Sequence, residues 1–193
     1  ESTAVALAET VLAFMDGLGL ESAHLVAHSM GGSVAMAIAA CQRERLRTLT
    51  LIASTGLGPE IDGAFIADFI AAKRRRDLRA AVGKLFVDQS LVSDRMLEEI
   101  IRMKRIDGVE AALARLAAAQ FPRGVQAQSR FRELLKDADL PYQVIWGAED
   151  SIVPAAHAAG LANASILPGA GHMPQMERWA EVNALIESFV RGR

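Results

Sequence analysis

The sequence lacks most of what disulfide-stabilised, membrane-spanning or nucleic-acid-binding proteins need. Among its 193 residues there is one cysteine, Cys41, which excludes an internal disulfide framework and a cysteine metal cluster and fits a cytoplasmic protein. No apolar run reaches the roughly 18 residues of a membrane span, and no basic-then-apolar signal segment is present. The net charge of −2 is too small to indicate a nucleic-acid or membrane surface as partner.

Cofactor and metal motifs are also missing. The four histidines are scattered and show neither H-E-x-x-H nor H-x-x-E-H spacing. No G-x-G-x-x-G or P-loop string occurs, so the sequence predicts no metal site and no tightly bound cofactor. What it does have is a 51% share of hydrophobic residues, enough for the core of one domain, or of one domain with an insert.

The stretch LVAHSMGG, residues 25–32, organises the chain. An apolar run ends at Ser29, and helix-forming sequence follows at once. Ala27 and Gly31 stand two positions either side, where a tight strand-to-helix turn admits only small side chains. This is the pattern of a G-x-S-x-G elbow that holds a serine nucleophile, with Ala27 in place of the first glycine. The Met30 N–H, at the start of the helix, would donate to a developing oxyanion.

The elements around this elbow predict an α/β fold with a parallel sheet. Short apolar strands alternate with helices on both sides of a long helical stretch, which we interpret as a cap over the carboxyl edge of the sheet, where substrates bind. The predicted strands cover residues 24–29, 46–54, 142–146 and 165–167, and the helices outside the cap cover 3–18, 30–43 and about 175–191. The last helix is predicted to bury one face with Met176, Trp179, Val182, Ile186 and Phe189. The predicted domains are a core of residues 1–55 and 140–193 and a helical cap of residues 56–139.

Three residues stand where the chemistry of acyl transfer needs them. Ser29 sits on the elbow, Asp150 follows a buried strand, and His172 follows the next strand in a glycine-rich loop. The order Ser, Asp, His is that of α/β-hydrolase folds. A serine hydroxyl is a weak nucleophile until a base removes its proton. His172 would be that base and later the acid, and Asp150 would hold its tautomer and stabilise the imidazolium.

Other candidate residues have plainer interpretations. Glu149 could be the acid instead of Asp150. His28 is predicted to be packed, hydrogen-bonded and pointing away from Ser29. His24 and His157 are predicted to be surface or core histidines, and Cys41 a small core residue.

Some residues of the cap and of the closing segment leave two interpretations open. The basic run Lys73–Arg76 could meet an anionic partner, such as coenzyme A phosphates or an acidic carrier domain, or could be a solvated helix end. Apolar cap residues could line the substrate site or form the cap's own core, and Met173 and Met176 could line the site or simply pack. The cap residues in question are Phe65, Ile66, Phe69 and Leu85.

The triad pattern resembles the α/β-hydrolase superfamily across most of the chain outside the cap. Two further runs, residues 51–63 (LIASTGLGPEIDG) and 104–109 (KRIDGV), look like the acyltransferase component of acetoin dehydrogenase complexes. The elbow of that family is usually Gly-His-Ser-Met-Gly, from which Ala27 departs by one methyl group. The resemblance implies acetyl transfer from a dihydrolipoyl group to coenzyme A, with both as substrates, and other subunits of a dehydrogenase complex as partners.

The resemblance also implies segments that this sequence does not contain. A domain of this type has further strands before Glu1, a loop with the second oxyanion donor, and a preceding lipoyl domain. The chain opens inside a helical pattern, so we expect it to be a fragment whose N-terminal strands are missing. An exposed strand edge would follow, and the 193 residues alone are expected to be poorly stable or to associate through it.

Three functional hypotheses remain open at this stage. The first is acyl transfer to a thiol acceptor by the Ser29, His172 and Asp150 triad. The second is a free-standing hydrolase of esters or of carbon–carbon bonds, because the same triad serves both reactions and the outcome depends on the acceptor and on water exclusion by the cap. The third is a non-catalytic fragment, acting as a scaffold or binding module.

Overall fold

A parallel sheet forms the centre of the computed structural model, which describes residues 2–128, 131–137 and 139–192. Its strands lie in the order β1-β2-β3-β4, and all neighbouring pairs are parallel. They are β1 (Ala23–His28), β2 (Leu46–Ile52), β3 (Tyr142–Gly147) and β4 (Ala164–Leu167). Parallel strands place all their carboxyl ends at one edge of the sheet, so the loops after β1, β3 and β4 open on the same side.

Helices α1 (Ala4–Gly17) and α2 (Met30–Cys41) pack against each other, and α2 packs on β1 and β2. The Thr3 hydroxyl accepts the Ala6 N–H at 3.2 Å and caps the first helix. Small buried residues of α2, among them Ala35, Ala37 and Ala39, allow its close approach to the sheet. The fully buried Trp146, Leu49 and Leu51 form the centre of the core.

The stretch between β2 and β3 is helical in the residues that the structure describes. It contains α3 (Gly63–Ala71), α4 (Arg75–Gly83), α5 (Asp94–Lys104), α6 (Val109–Gln120) and α7 (Phe131–Asp137), with short 3₁₀ turns between α4 and α5 and between α6 and α7. A separate hydrophobic cluster, which we call the cap cluster, lies inside it and comprises Ala72, Leu78, Val82, Phe86, Val92 and Leu97. The domain boundaries at 55/56 and 139/140 stay a prediction, and positions 1, 129–130, 138 and 193 of the predicted domains lie outside the described residues.

The cap lies against loops at the carboxyl edge of the sheet. The Ser151 hydroxyl, just after β3, donates to the Lys84 carbonyl at 3.0 Å. The Asp62 N–H donates to the Ile152 carbonyl at 2.8 Å. This placement agrees with the sequence-based expectation of a cap over that edge. Of the four apolar cap residues, Phe65 packs against the main core, Phe69 packs in the cap cluster, and Leu85 contacts both.

The closing helix differs from its prediction. Two helices, α8 (Pro174–Glu177) and α9 (Trp179–Arg191), replace the single predicted one, and the chain breaks at Arg178 with φ −127° and ψ 42°. The break shifts the helical phase, so Trp179 is 64% and Met176 37% exposed, whereas Val182 is buried as predicted. The prediction that Met176 and Trp179 lie on the buried face is therefore wrong. Cys41 is also exposed, at the end of α2, and is not a core residue.

The basic run Lys73–Arg76 lies at the start of a helix and not at its C-terminal end. Helix α3 ends at Ala71 and α4 begins at Arg75, so Lys73 and Arg74 precede α4 and Arg75 and Arg76 are its first two residues. Acidic residues at the surface pair with the run, including the half-buried Asp77 with Arg74 at 2.7 Å and the exposed Glu110 with Lys73 at 3.3 Å. Exposed ion pairs of this kind contribute about 0–1 kcal/mol each, so the run is a solvated surface.

Strand β1 lies at one edge of the described sheet, and Val26 in it is 46% exposed. Association through this edge stays a prediction. None of the helices that the structure describes is both long and apolar enough to cross a bilayer.

Candidate active site

Ser29 occupies a strained turn between β1 and α2. Its backbone has φ 52° and ψ −124°, a region that side-chain-bearing residues rarely adopt and that costs on the order of 1–3 kcal/mol. Backbone hydrogen bonds over-determine the turn: the Ser29 N–H donates to Ile52 at 3.0 Å, and its carbonyl accepts the N–H groups of Gly32 at 2.9 Å and Thr55 at 3.0 Å. The strain therefore persists because the end of β2 holds the elbow in place.

The position in the elbow that has no room for a side chain is Gly32, and not Gly31, where the motif has its second glycine. A Cβ on Gly31 would lie 4.0 Å from the Ala27 Cβ, which is ordinary contact. Ala27 is thus accommodated without crowding. A Cβ on Gly32 would lie 1.8 Å from the Ser54 Oγ and 2.7 Å from the Ser54 Cβ. Glycine is required at position 32, where α2 crosses the end of β2.

The structure brings Ser29, His172 and Asp150 together, although they are far apart in sequence. The Ser29 Oγ lies 2.8 Å from the His172 Nε2. The His172 Nδ1 lies 2.8 Å from the Asp150 Oδ2. An ionised carboxylate can only accept, so the proton lies on Nδ1 and leaves Nε2 free to accept from the Ser29 hydroxyl.

The carboxylate of Asp150 has a fixed orientation. Its side chain is fully excluded from solvent, and that of His172 is 3% exposed. The second oxygen, Oδ1, accepts the N–H groups of Ile152 at 2.8 Å and Val153 at 3.0 Å. A buried carboxylate bonded to two backbone amides and one imidazole N–H is held in a single geometry. It can therefore fix the histidine tautomer and stabilise a positive charge on the ring.

Met30 begins α2 directly after Ser29. The first N–H groups of a helix have no intrahelical acceptor, and the positive end of the helix dipole lies there. The Met30 N–H, the oxyanion donor expected from the sequence, lies at this end of the helix. In the residues that the structure describes, no group of three or more histidine, cysteine or acidic side chains is arranged to hold a metal.

His28 is packed and hydrogen-bonded as predicted, but it packs against His172. Its Nε2 donates to the His172 carbonyl at 2.8 Å, and the two ring centroids are 4.9 Å apart. Burial, and then the neighbouring His172, lower the pKa of His28 to about 4. A neutral ring at this place adds no charge beside the imidazole of His172.

Glu149 does not reach the imidazole; its carboxylate instead binds the backbone of the loop that carries His172. Residues 168–173 form this loop, which we call the histidine loop. The Glu149 Oε2 accepts the N–H groups of Gly169 at 3.0 Å and Ala170 at 3.2 Å. Of the two candidate acids, the structure thus brings Asp150 to His172.

Sequence reasoning missed two polar contacts between segments that are distant along the chain. Glu177 binds backbone amides on both the histidine loop and the cap. Sequence offers one signal for the role of Glu177. Its carboxylate lies at the end of a short helix that follows the histidine loop, and the backbone amides of that loop need acceptors. The other contact joins the buried His157 to Glu60 at 2.7 Å, and that hydrogen bond lowers the pKa of the Glu60 carboxyl. Sequence analysis does not predict Glu60 as the hydrogen-bond partner of His157, because the two residues are 97 positions apart.

Two curated proteins are similar to nearly the whole of this chain. A dihydrolipoyllysine-residue acetyltransferase component of the acetoin cleaving system from Pseudomonas putida is 42% identical over 187 residues, which is 96% of this chain and 50% of that protein. The component of the same name from Cupriavidus necator is 37% identical over 194 residues, covering 99% of this chain and 52% of that protein. The chain spans about half the length of these curated relatives.

A solved structure shares the fold. A meta-cleavage product hydrolase from Pseudomonas fluorescens IP01 superimposes with a TM-score of 0.83 at 21% identity, covering 98% of this chain and 72% of that one. Residues 1–185 match the family described as Alpha/beta hydrolase family. The parallel strands, Ser29 on a strained elbow after β1, Asp150 after β3 and His172 after β4 agree with that match. The chain belongs to the alpha/beta hydrolase family.

Proposed function

We propose that Ser29, His172 and Asp150 are a catalytic triad for acyl transfer. The observation that carries this proposal is the pair of 2.8 Å contacts that join the Ser29 hydroxyl, the His172 ring and the Asp150 carboxylate. The acyl donor is a thioester of a dihydrolipoyl group, and the acceptor is the thiol of coenzyme A. The transferred group is acetyl.

In the first half-reaction, Ser29 attacks the thioester carbonyl. The hydroxyl proton moves to the His172 Nε2 as the Ser29 oxygen bonds to the acyl carbon. The Met30 N–H donates to the oxyanion that forms. The carbon–sulfur bond then breaks, His172 returns the proton to the leaving sulfur, and dihydrolipoamide leaves an acetyl group on Ser29. Asp150 stabilises the imidazolium throughout.

In the second half-reaction, coenzyme A takes the place of the first thiol. His172 removes the proton of its thiol, the sulfur attacks the Ser29 ester, and the ester bond breaks. His172 then gives the proton back to the Ser29 oxygen, and acetyl-coenzyme A leaves. No tightly bound cofactor takes part, because the lipoyl group and coenzyme A are both substrates.

Two relatives support the acetyl-transfer assignment, because each is named as an acetyltransferase component of an acetoin cleaving system and matches nearly all of this chain at 42% and 37% identity. From these names we propose that the protein works with other subunits of such a system, and from its single cysteine that it does so in the cytoplasm. Since the chain spans about half of each relative, these partners belong to the whole protein.

The test measures loss of acetyl-dihydrolipoamide with and without coenzyme A, using the full chain. Activity that requires coenzyme A, and that Ser29→Ala abolishes, is the expected result. Ser188→Ala, which removes an exposed hydroxyl on α9, is the matched control and should keep full activity. Rapid quenching with donor alone should give Ser29 carrying one acetyl group, and an unmodified Ser29 would contradict the proposal.

Hydrolysis is the second candidate, because the triad geometry contains nothing that selects a thiol over water and the family match is to hydrolases. Here water accepts the acyl group, and the substrate is an ester or a ketone cleaved at a carbon–carbon bond. Turnover of a nitrophenyl ester that is equally fast without coenzyme A, and that is lost in Ser29→Ala, would favour it. Absence of both activities would leave the non-catalytic hypothesis.

A further inference from the structure

We propose that Glu177 is a positioning residue that couples the cap to His172. The inference rests on the proposed function, since it assigns Glu177 a role through the proposed base. The side chain lies on α8, five residues after His172, and touches neither Ser29 nor the imidazole in the contacts of the described residues. Its carboxylate joins two segments that belong to different parts of the fold.

Both oxygens of this carboxylate accept backbone N–H groups. The Oε2 atom accepts from Gly171 at 2.6 Å, next to His172. The Oε1 atom accepts from Val87 at 2.6 Å and Asp88 at 3.0 Å, in the cap segment after α4. Hydrogen bonds from backbone amides to an ionised carboxylate are among the stronger ones in proteins. One carboxylate therefore fixes the distance between the cap and the histidine loop.

Packing reinforces this link on both sides of His172. A Cβ on Gly171 would lie 2.9 Å from the Leu85 carbonyl oxygen, so the loop approaches the cap backbone as closely as a glycine allows. Met173 packs against the cap cluster. The residues before and after His172 thus both contact the cap.

The core binds the other polar groups of the histidine loop. Glu149 accepts the N–H groups of Gly169 and Ala170, and His28 donates to the His172 carbonyl. Glu149 thus accepts two and Glu177 one of three successive amides of this loop. Among the contacts of the described residues, Glu177 also bonds the cap, whereas Glu149 does not. A cap displacement that moves Val87 and Asp88 pulls on Gly171 and changes the position of His172 against Ser29.

The consequence for catalysis follows from the short Ser29–His172 contact. Proton transfer needs the hydroxyl and the ring nitrogen within hydrogen-bond reach, and a misplacement of about 1 Å can cost on the order of a hundredfold in rate. A cap seated in this position, as when substrate lies beneath it, keeps His172 in place. A displaced cap lowers the reactivity of Ser29 without contacting it.

The experiment compares Glu177→Gln with Glu187→Gln in the full chain. Glu187 is an exposed carboxylate on α9 and serves as the control for loss of charge. A glutamine at 177 keeps one acceptor oxygen but presents an NH₂ group to the amides on the other side. Three measurements are made: hydrogen exchange of peptides containing residues 85–88 and 169–172, the rate at which a fluorophosphonate probe labels Ser29, and the turnover number and KM for acetyl transfer from acetyl-dihydrolipoamide to coenzyme A.

We expect exchange in Glu177→Gln to rise in both peptides together and labelling to slow by roughly tenfold to a hundredfold, with Glu187→Gln unchanged. The turnover number should fall while KM changes little. Faster exchange in the cap peptide alone, with labelling at the wild-type rate, would overturn the coupling. Glu177→Asp keeps the charge but is too short to span both segments, so it should behave like Glu177→Gln and serves if the latter does not fold.

Failure of the proposed function gives a different result. If wild-type Ser29 is not labelled at all, the triad proposal is wrong. The exchange measurement still decides whether Glu177 joins the cap to the histidine loop. A coupled rise in both peptides would then support a link between cap and loop.

Discussion

Ser29 and His172 are held in place by different parts of the molecule. Every backbone hydrogen bond described for Ser29 goes to the core, namely to Ile52, Gly32 and Thr55. The histidine loop is bound by Glu149 and His28 from the core and by Glu177, which also bonds the cap. The backbone hydrogen bonds described for Ser29 therefore all stay within the core, whereas one carboxylate joins the histidine loop to the cap.

This difference matters because the two groups work only as a pair. The elbow keeps Ser29 in one position whether or not a substrate lies above the sheet. The position of His172, by contrast, can change with occupation of the substrate site. Four predictions test the division, from the largest expected effect to the smallest.

The largest effect is expected from Asp150→Asn, which acts on the core side of the base. An asparagine NH₂ would donate to the His172 Nδ1, so the ring proton would move to Nε2. A protonated Nε2 cannot accept the hydrogen of the Ser29 hydroxyl. We expect the turnover number to fall by on the order of 10⁴-fold. Steady-state kinetics with the exposed Asp107→Asn as control measures it, and a loss of tenfold or less would argue against the assigned role.

Leu78→Ala should loosen the cap and leave the elbow intact. Leu78 is fully buried in the cap cluster, and such truncations cost about 2–5 kcal/mol. Hydrogen exchange of the Gly171 amide should rise, whereas that of the Thr55 amide, which donates to Ser29, should not. Leu18→Ala, at an exposed site on the end of α1, is the control. Equal changes at both amides would contradict the division between cap and core.

His28 should make stability depend on pH. Burial lowers the pKa of His28 from 6.5 to about 4. His28 therefore binds a proton below pH 6.5 in the unfolded chain, but only below about pH 4 in the folded chain. The free energy of unfolding should therefore fall as the pH drops through this window, by about 3 kcal/mol, and be restored above it.

His28→Gln is the matching variant for this prediction. It can still donate to the His172 carbonyl but does not titrate. Urea unfolding of both proteins at pH 4 and pH 7 gives the difference. If the variant loses as much stability as the wild type on acidification, His28 is not the responsible group.

Gly32→Ala should destabilise the nucleophile side, whereas Gly31→Ala should not. The added methyl group at 32 meets the Ser54 side chain at 1.8 Å, and the nearest atom at 31 is 4.0 Å away. Overpacking of this kind costs about 1–3 kcal/mol. Adding Ser54→Gly to Gly32→Ala should recover part of the loss in thermal unfolding, and equal melting of the two single variants would contradict the steric argument.

The sequence alone predicts the parts of the fold that depend on local patterns. The strand ends next to Ser29, Asp150 and His172 carry turn and glycine signals, and parallel strands bring those ends together, so the triad arrangement follows from local information. The bounds of α1 and of the strands are predicted to within one or two residues for the same reason, with β2 ending early at Ile52 because Ala53 adopts φ 45°.

What sequence does not predict depends on contacts between distant segments. Glu177 lies 90 residues from Val87, and no spacing rule relates the two. The need for glycine at 32 arises from Ser54 on the neighbouring strand end. The exposure of Met176 and Trp179 does not follow from the sequence pattern. That pattern is periodic across the whole segment, whereas the helical period of the chain restarts at Arg178.

The backbone of Ser29 has a consequence for how this protein could evolve. Its positive φ of 52° is a conformation that glycine adopts freely. Ser29→Gly would remove the proposed nucleophile and relieve conformational strain, so this variant should unfold at a higher temperature than the wild type. Selection for thermal stability alone would favour loss of the serine, so the proposed activity and the stability of the fold oppose each other at this position.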